Sequence, residues 1–199
     1  LKKILRIPGQ HNVSNALAAR AAGKILGISD KKIFSALASY RGAWRRFDYQ
    51  GQLLGAKVFA DYAHHPTEIK AVLQAAREKF PKARIICVFQ PHHYERTRDL
   101  FSEFTKAFDQ CSQAVFLNIY EVAGRERKRK SSEVSSQKLA AAVARRGVKA
   151  YYLANVKKLK SFLKSRLEKN DILLMMGAGS IWEITKKLMK SKVKNQNSK

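Results

Sequence analysis

The chain has 199 residues and a mass of 22.6 kDa, and 45% of its residues are hydrophobic. This length suits one domain with an additional piece, or two small domains, and the core can be large enough to fold without disulfides or a metal. Two cysteines are too few for a disulfide framework, no run of about 18 apolar residues could cross a membrane, and the first residues do not form a signal peptide. The net charge of +25 favours an anionic partner such as a nucleotide, a nucleic acid or a lipid, or else an ordinary solvated basic surface.

The first 45 residues predict two short helices. Alanine and larger apolar residues recur at helical spacing over residues 12–26, and Gly27 is placed to end this helix. Ser29 or Asp30 can cap a second helix that covers residues 33–38. Two short helices bury little apolar surface, so we expect them to be the end of a domain whose main part lies upstream.

Strands and helices alternate after residue 46. Strands are predicted at residues 47–52, 56–61, 84–89, 114–119, 149–153 and 171–176. Helices are predicted at residues 66–80, 100–108, 133–145, 155–168 and 181–189. This alternation predicts an α/β fold with a mostly parallel, Rossmann-like sheet and helices on both faces. Residues 124–132 are expected to form a charged loop, residues 191–199 a basic disordered tail, and Cys87 and Cys111 buried thiols.

Three polar clusters directly follow predicted strands, at the edge where parallel sheets bind ligands. Residues 61–68 read Asp-Tyr-Ala-His-His-Pro-Thr-Glu, and residues 89–99 contain two histidines and two arginines. The helix start in the first cluster could bind an anion, and an arginine in the second could hold a carboxylate or phosphate. A capped helix in the first case and a basic loop in the second would give the same patterns. Residues 176–180, Met-Gly-Ala-Gly-Ser, are an incomplete dinucleotide fingerprint, which favours close strand–helix packing.

A fourth polar cluster opens the first helix. His11, Asn12 and Asn15 lie there, and the two asparagines share one helix face because they are three residues apart. Their amides could pair with a purine edge, but spacing alone favours the simpler interpretation that Asn12 caps the helix. Arg46, at the junction with the sheet, could reach a phosphate between two domains or be a surface charge.

Several sequence motifs of catalysis are absent. The chain has no Gly-x-x-x-x-Gly-Lys-Ser/Thr phosphate loop, no Gly-x-Ser-x-Gly nucleophile turn and no Cys/His metal spacing. It therefore has places to hold anions but lacks a complete set of catalytic groups. A basic nucleic-acid-binding α/β module is an alternative of a different class, but stacking aromatic patterns and nucleic-acid motifs are missing.

Four segments, in their order along the chain, resemble the Mur ligase family. They are Gly-Gln-His-Asn-Val-Ser-Asn at 9–15, Arg-Arg-Phe-Asp at 45–48, Asp-Tyr-Ala-His-His-Pro-Thr-Glu at 61–68 and Gln-Pro-His-His-Tyr-Glu-Arg-Thr at 90–97. The resemblance covers nearly the whole chain and is closest to the members that add L-alanine to UDP-N-acetylmuramate. Members that attach a peptide to recycled muramate are the alternative within the family.

The resemblance implies a three-domain cytoplasmic enzyme of peptidoglycan precursor synthesis. Residues 1–45 would be the end of the central ATP-binding domain, and residues 46–190 the C-terminal amino-acid-binding domain. The muramyl carboxylate would attack ATP to form an acyl phosphate, from which the amine of L-alanine displaces phosphate. The family's phosphate loop and most Mg²⁺ ligands would lie in upstream domains, so the chain is expected to bind no metal itself and to be inactive alone.

The resemblance also implies roles for individual residues. Asn12 and Asn15, with His11 beside them, would contact the adenine of ATP. Arg46 would reach the phosphates, and Asp61 the ribose hydroxyls. Of these residues, Arg46 is also a candidate for catalysis.

The amino-acid site would follow the next two strands. Its residues would be Tyr62, His64, His65, His92, His93 and Arg96, with His64 a second candidate for catalysis. The family often has an arginine where this chain has His93, and a neutral imidazole holds a carboxylate less firmly than a guanidinium. The choice of L-alanine over glycine, L-serine or a peptide therefore stays open, and Arg98 could substitute for the missing arginine.

Overall fold

Residues 1–121 and 133–190 are described by the structure, a computed structural model. The helices are α1 (Gln10–Ile25), α2 (Asp30–Ser39), α3 (Pro66–Lys79), α4 (Tyr94–Asp99), α5 (Phe101–Thr105), α6 (Ser136–Ala144), α7 (Leu159–Lys164) and α8 (Ile181–Lys190). The strands are β1 (Asp48–Leu53), β2 (Ala56–Asp61), β3 (Ile85–Phe89), β4 (Gln113–Leu117), β5 (Lys149–Leu153) and β6 (Ile172–Met176). The charged loop predicted at 124–132 and the tail predicted at 191–199 lie outside the described residues.

The six strands form one sheet in the order β1-β2-β6-β3-β4-β5. Only the β1–β2 hairpin is antiparallel, and the other four neighbouring pairs are parallel. Every residue of β3 and β6 is buried because both faces of the sheet are covered. The prediction of a mostly parallel α/β sheet is confirmed, with strand bounds that differ by one or two residues.

Helices cover both faces of the sheet, as predicted. Side chains of α3, α5 and α6 form the core on one face, and those of α7 and α8 form the core on the other. Cys87 and Cys111 are both buried and free, as expected from their apolar surroundings. Within the described ranges, no helix combines the length and apolar character that a membrane crossing requires.

Two of the predicted helices are divided, and a third, α6, begins three residues later than predicted. Residues 94–105 form α4 and α5 in place of one helix over 100–108, so Arg96 and Arg98 lie on a helix and not in a basic loop. Helix α4 begins early because the backbone N–H and hydroxyl of Thr97 both donate to the carbonyl of His93, at 3.1 and 2.7 Å. The helix predicted over 155–168 is a short 3₁₀-helix followed by α7, which ends at Lys164.

The first 45 residues form the two predicted helices. Gly27, with φ +73°, follows the end of α1, and Ser29 occupies the N-cap of α2. Arg20 of α1 forms an ion pair with Asp30 of α2 at 3.2 Å. The two helices bury little apolar surface: their buried residues are Ala16, Gly23 and Ile33, and Ile25 of α1 is 86% exposed. The assignment of these helices to an upstream domain stays a prediction.

Strands β2, β6 and β3 end side by side, and this positions the polar clusters. Met176 pairs with Asp61 on one side and with Phe89 on the other. Beyond the strands, the N–H of Gly177 donates to the carbonyl of Asp61 at 3.1 Å, and the N–H of Gln90 donates to that of Met176 at 3.0 Å. The three clusters predicted from the sequence therefore meet at one carboxyl edge.

We predict that Gly177→Ala destabilises the fold more than Gly147→Ala. Gly177 has φ +147°, and a Cβ there would lie 2.8 Å from the carbonyl oxygen of Gln90. Gly147 has φ +92°, but a Cβ there would meet no other atom within 4 Å, so its replacement by alanine costs only backbone strain. We expect losses in the free energy of unfolding of about 3 and about 1 kcal/mol, measured by urea denaturation. Equal losses would show that the close contact with Gln90 does not matter.

Candidate functional site

A cavity of about 450 Å³ lies between the first 45 residues and the carboxyl edge of the sheet. The five residues predicted to bind a nucleotide all line it: His11, Asn12, Asn15, Arg46 and Asp61. Apolar side chains, among them Ile7, Tyr40 and Phe47, complete the wall. The structure thus brings together residues that are separated by up to 50 positions in the sequence.

Asn12 does not cap α1, and the capping interpretation is wrong. Gly9, with φ +100°, occupies the N-cap, and Asn12 lies one turn inside, where its Nδ2 donates to the carbonyl of Pro8 at 2.7 Å. A Cβ on Gly9 would lie 2.9 Å from the Cβ of Ala75, so glycine allows α1 to approach α3 here. Asn15, one turn later, is exposed in the cavity wall.

Asp61 connects the junction segment to the sheet. Its Oδ2 accepts the N–H of Phe47 at 2.7 Å, and its Oδ1 accepts the N–H of Ala63 at 2.7 Å. The residue is 3% exposed, and burial raises the pKa of its carboxyl group, against the effect of these two donors and of Arg46. Asp61 therefore fixes the backbone beside Arg46, and its contact with a ribose stays a prediction.

Arg45 is a structural residue of this edge that the sequence interpretation did not identify. It is buried, its Nη2 donates to the carbonyl of Gly177 at 2.6 Å, and its guanidinium lies 4.7 Å from the ring centre of Tyr62. Its backbone has φ +55°, and that of Phe47 has φ +50°. Arg46, between them, is exposed and lines the cavity. No local signal distinguishes the two arginines, because their difference depends on Gly177.

A second group of polar side chains lies next to the cavity, around Tyr62 and His64. The ring centres of these two residues are 5.2 Å apart, and those of His64 and His92 are 6.0 Å apart. Glu68 accepts the backbone N–H of His64 at 2.9 Å and lies 3.2 Å from its Nδ1. The imidazole of His64 is therefore held by Glu68 and by the carbonyl of Tyr62, which is 3.0 Å from Nδ1.

Two buried atoms of this group have no hydrogen-bond partner among the described residues: Nδ1 of His92 and Nη1 of Arg96. Burial, together with His93, His64 and Arg96, lowers the pKa of His92 to about 4. Burial also lowers the pKa of His64. At neutral pH the two imidazoles are therefore neutral beside the permanent charge of Arg96, an arrangement that suits a small anion such as a carboxylate.

The remaining two histidines of the prediction have different surroundings. His65 is exposed at the N-cap of α3, where its Nδ1 accepts the N–H of Thr67 at 3.3 Å and Glu68 completes a capping box. The alternative interpretation of His65 as a helix cap is therefore confirmed. His93, with φ +70°, is the N-cap of α4, and its ring centre is 4.2 Å from that of His92.

Arg98 is less available to a ligand than Arg96. Arg98 donates to Asp99 at 2.8 Å, so its guanidinium already has a carboxylate partner. Among the described residues, no group of three or more histidine, cysteine, aspartate or glutamate side chains is arranged to hold a metal ion.

Comparison with known proteins gives one consistent result. The family model described as "Mur ligase, glutamate ligase domain" matches residues 45–179. UDP-N-acetylmuramate–L-alanine ligases of Clostridium kluyveri and Clostridium acetobutylicum are 42% and 43% identical over 180 residues, which are 90% of this chain and 38% of each relative. The chain therefore spans about two fifths of the length of the curated relatives it matches.

Solved structures agree with this match. The UDP-N-acetylmuramate-alanine ligase of Thermotoga maritima has a TM-score of 0.77 and 29% identity, and the alignment covers 98% of this chain and 40% of that one. A murein peptide ligase of Psychrobacter arcticus has a TM-score of 0.63 and 23% identity over 94% of this chain and 38% of that one, a likeness of fold.

We predict that Arg45→Met lowers the free energy of unfolding by about 2–3 kcal/mol, because it leaves the buried carbonyl of Gly177 without its donor. Arg41→Met is the matched control, since Arg41 is exposed and its loss should change stability by less than about 0.5 kcal/mol. Urea denaturation measures both values. A similar small effect for both variants would contradict a structural role for Arg45.

Proposed function

The chain belongs to the Mur ligase family, and we propose that it forms the C-terminal part of an ATP-dependent ligase that joins L-alanine to the carboxylate of UDP-N-acetylmuramate. The observation that carries this proposal is the meeting of two subsites at one sheet edge, the cavity with His11, Asn12, Asn15, Arg46 and Asp61, and the adjacent group around Arg96. The relatives named for this reaction, 40–43% identical to the chain, support the choice of L-alanine.

The cavity is the proposed nucleotide subsite. Its volume of about 450 Å³ and its apolar wall suit a purine, and the side-chain amides of Asn12 and Asn15 can both donate to and accept from the edge of the base. The exposed guanidinium of Arg46 is the cation that can reach the phosphates. The family match begins at residue 45, which supports residues 1–45 as the end of the ATP-binding domain and residues 46–190 as the C-terminal domain.

The group around Arg96 is the proposed amino-acid subsite. The unpartnered Nη1 of Arg96 is a charged donor for the α-carboxylate, and the neutral imidazoles of His64 and His92 lie beside it. Tyr62 separates this subsite from Arg46, whose guanidinium lies 5.5 Å from the tyrosine ring centre. An amino acid held here would present its amine beside the phosphate end of the nucleotide.

The proposed chemistry is activation of a carboxylate followed by attack of an amine. The carboxylate of UDP-N-acetylmuramate takes the γ-phosphoryl group of ATP, ADP leaves, and the amine of L-alanine then displaces inorganic phosphate from the acyl phosphate. This chain contributes positioning and positive charge through Arg46 and Arg96, and it shields the acyl phosphate from water. We place the Mg²⁺ ligands mainly in other parts of the protein, where the phosphate loop that the family resemblance implies would also lie. Since ATP and UDP-sugars are made in the cytoplasm, we expect the enzyme to act there.

We predict that the complete protein releases phosphate from ATP only when UDP-N-acetylmuramate and L-alanine are both present with Mg²⁺. Glycine, L-serine and a free tripeptide are the competing amine substrates in the same assay. The 199-residue chain alone is the control, and it should release none because it has no phosphate-loop motif. Release with the tripeptide alone would instead assign the protein to peptide recycling, and sugar-independent release would contradict the ligase proposal.

A further inference from the structure

Tyr120 is a residue outside the proposed subsites that contacts one of them directly. It follows β4 at the same carboxyl edge of the sheet, and its ring is stacked on that of His92, with centres 5.5 Å apart and planes inclined by 14°. The side chain is 37% exposed, so one part of its ring packs and another faces outward.

The backbone of Tyr120 also holds the segment that carries His92. Its N–H donates to the carbonyl of Pro91 at 2.8 Å, and its carbonyl accepts the N–H of His93 at 3.1 Å. These two bonds form an isolated parallel bridge that continues the β3–β4 pairing past the strand ends. The bridge fixes His93 in its left-handed conformation, at the N-cap of the helix that carries Arg96.

Gly179 provides the support for the Tyr120 ring. A Cβ on Gly179 would overlap Cγ of Tyr120 and would lie 2.8 Å from its Cβ and Cδ2. The close packing expected for the Gly-Ala-Gly segment is therefore, at its second glycine, packing against this tyrosine. Tyr120 thus connects the loop after β6 to the loop after β3.

Steric support of this kind matters at His92 because no hydrogen bond from the described residues holds Nδ1 of its ring. Nδ1 of His92 and Nη1 of Arg96 are buried without a partner among the described residues. A polar group that must keep its bonding capacity for a ligand has to be oriented by packing instead. The stacked face of Tyr120 supplies that packing for His92.

We propose that Tyr120, seated on Gly179, is a positioning residue that aligns His92 and Arg96 for the carboxylate of an amino-acid substrate. The identity of the ligand rests on the proposed function, but the alignment itself does not. The phenol hydroxyl takes no part, so a phenyl ring serves equally well.

The first test is steady-state kinetics of the complete protein. We expect Tyr120→Ala to raise KM for the amino acid about tenfold or more and KM for ATP less than about twofold. Tyr120→Phe should behave like the native protein. Tyr152→Ala is the matched control, because Tyr152 is equally exposed, at 37%, on the neighbouring strand β5. Gly179→Ala should resemble Tyr120→Ala, because a Cβ on Gly179 would displace the tyrosine ring.

The second test is an NMR titration of His92, which needs no substrate. The groups that face this imidazole are His93, His64, Arg96 and the ring of Tyr120. In the native chain His92 should gain its proton near pH 4, and in Tyr120→Ala the midpoint should move upward toward 6.5, because the ring becomes more exposed. Tyr120→Phe and Tyr152→Ala should keep the native midpoint.

The two tests separate the failure of this proposal from failure of the proposed function. An unchanged His92 midpoint in Tyr120→Ala would overturn the positioning role. A Tyr120→Phe variant as impaired as Tyr120→Ala would also overturn it, since the hydroxyl would then act directly. A moved midpoint in a protein that uses no amino acid would support the positioning role and contradict the ligase. Equal rises in both KM values would show a general structural defect and overturn the proposal.

Discussion

The alignment of three strand ends determines where the polar clusters that follow β2, β6 and β3 lie. Strands β2, β6 and β3 are adjacent and parallel, and Met176 at the end of β6 pairs with residues of both neighbours. Gly177 continues this alignment past the strands, because its N–H donates to Asp61 and its carbonyl accepts from Arg45. Parallel strands in register end at one edge, so loops that are far apart in sequence open onto the same space.

Tyr62 forms the boundary between the two proposed subsites. Its ring lies 4.7 Å from the guanidinium of Arg45 and 5.5 Å from that of Arg46 on the nucleotide side, and 5.2 Å from the imidazole of His64 on the other side. A nucleotide phosphate at Arg46 and an amine beside His64 would therefore approach each other across one aromatic ring. The two proposed subsites are therefore neighbours on either side of the Tyr62 ring.

Periodicity predicts the parallel sheet and the helices on both faces, and the polar residues directly after strands mark the edge where candidate residues meet. The roles of the individual candidates come from the family resemblance and stay predictions. The sequence does not predict the roles of Arg45 and Tyr120. Arg45 is buried only because Gly177, 132 residues later, supplies its acceptor, and Tyr120 acts through His92 and Gly179. The capping interpretation of Asn12 fails for a local reason, since Gly9 already occupies the N-cap. Contacts between distant loops are thus the part that local patterns cannot show.

The central claim is that one edge of the sheet carries two separate subsites, and crossed kinetics of two variants of the complete protein test it most directly. Arg96→Ala should raise KM for L-alanine at least about tenfold with little change in KM for ATP, and Asn15→Ala should do the reverse. Arg98→Ala, on the same helix but paired with Asp99, should change neither. If Arg96→Ala or Asn15→Ala raised both KM values equally, the separation into a nucleotide subsite and an amino-acid subsite would be contradicted.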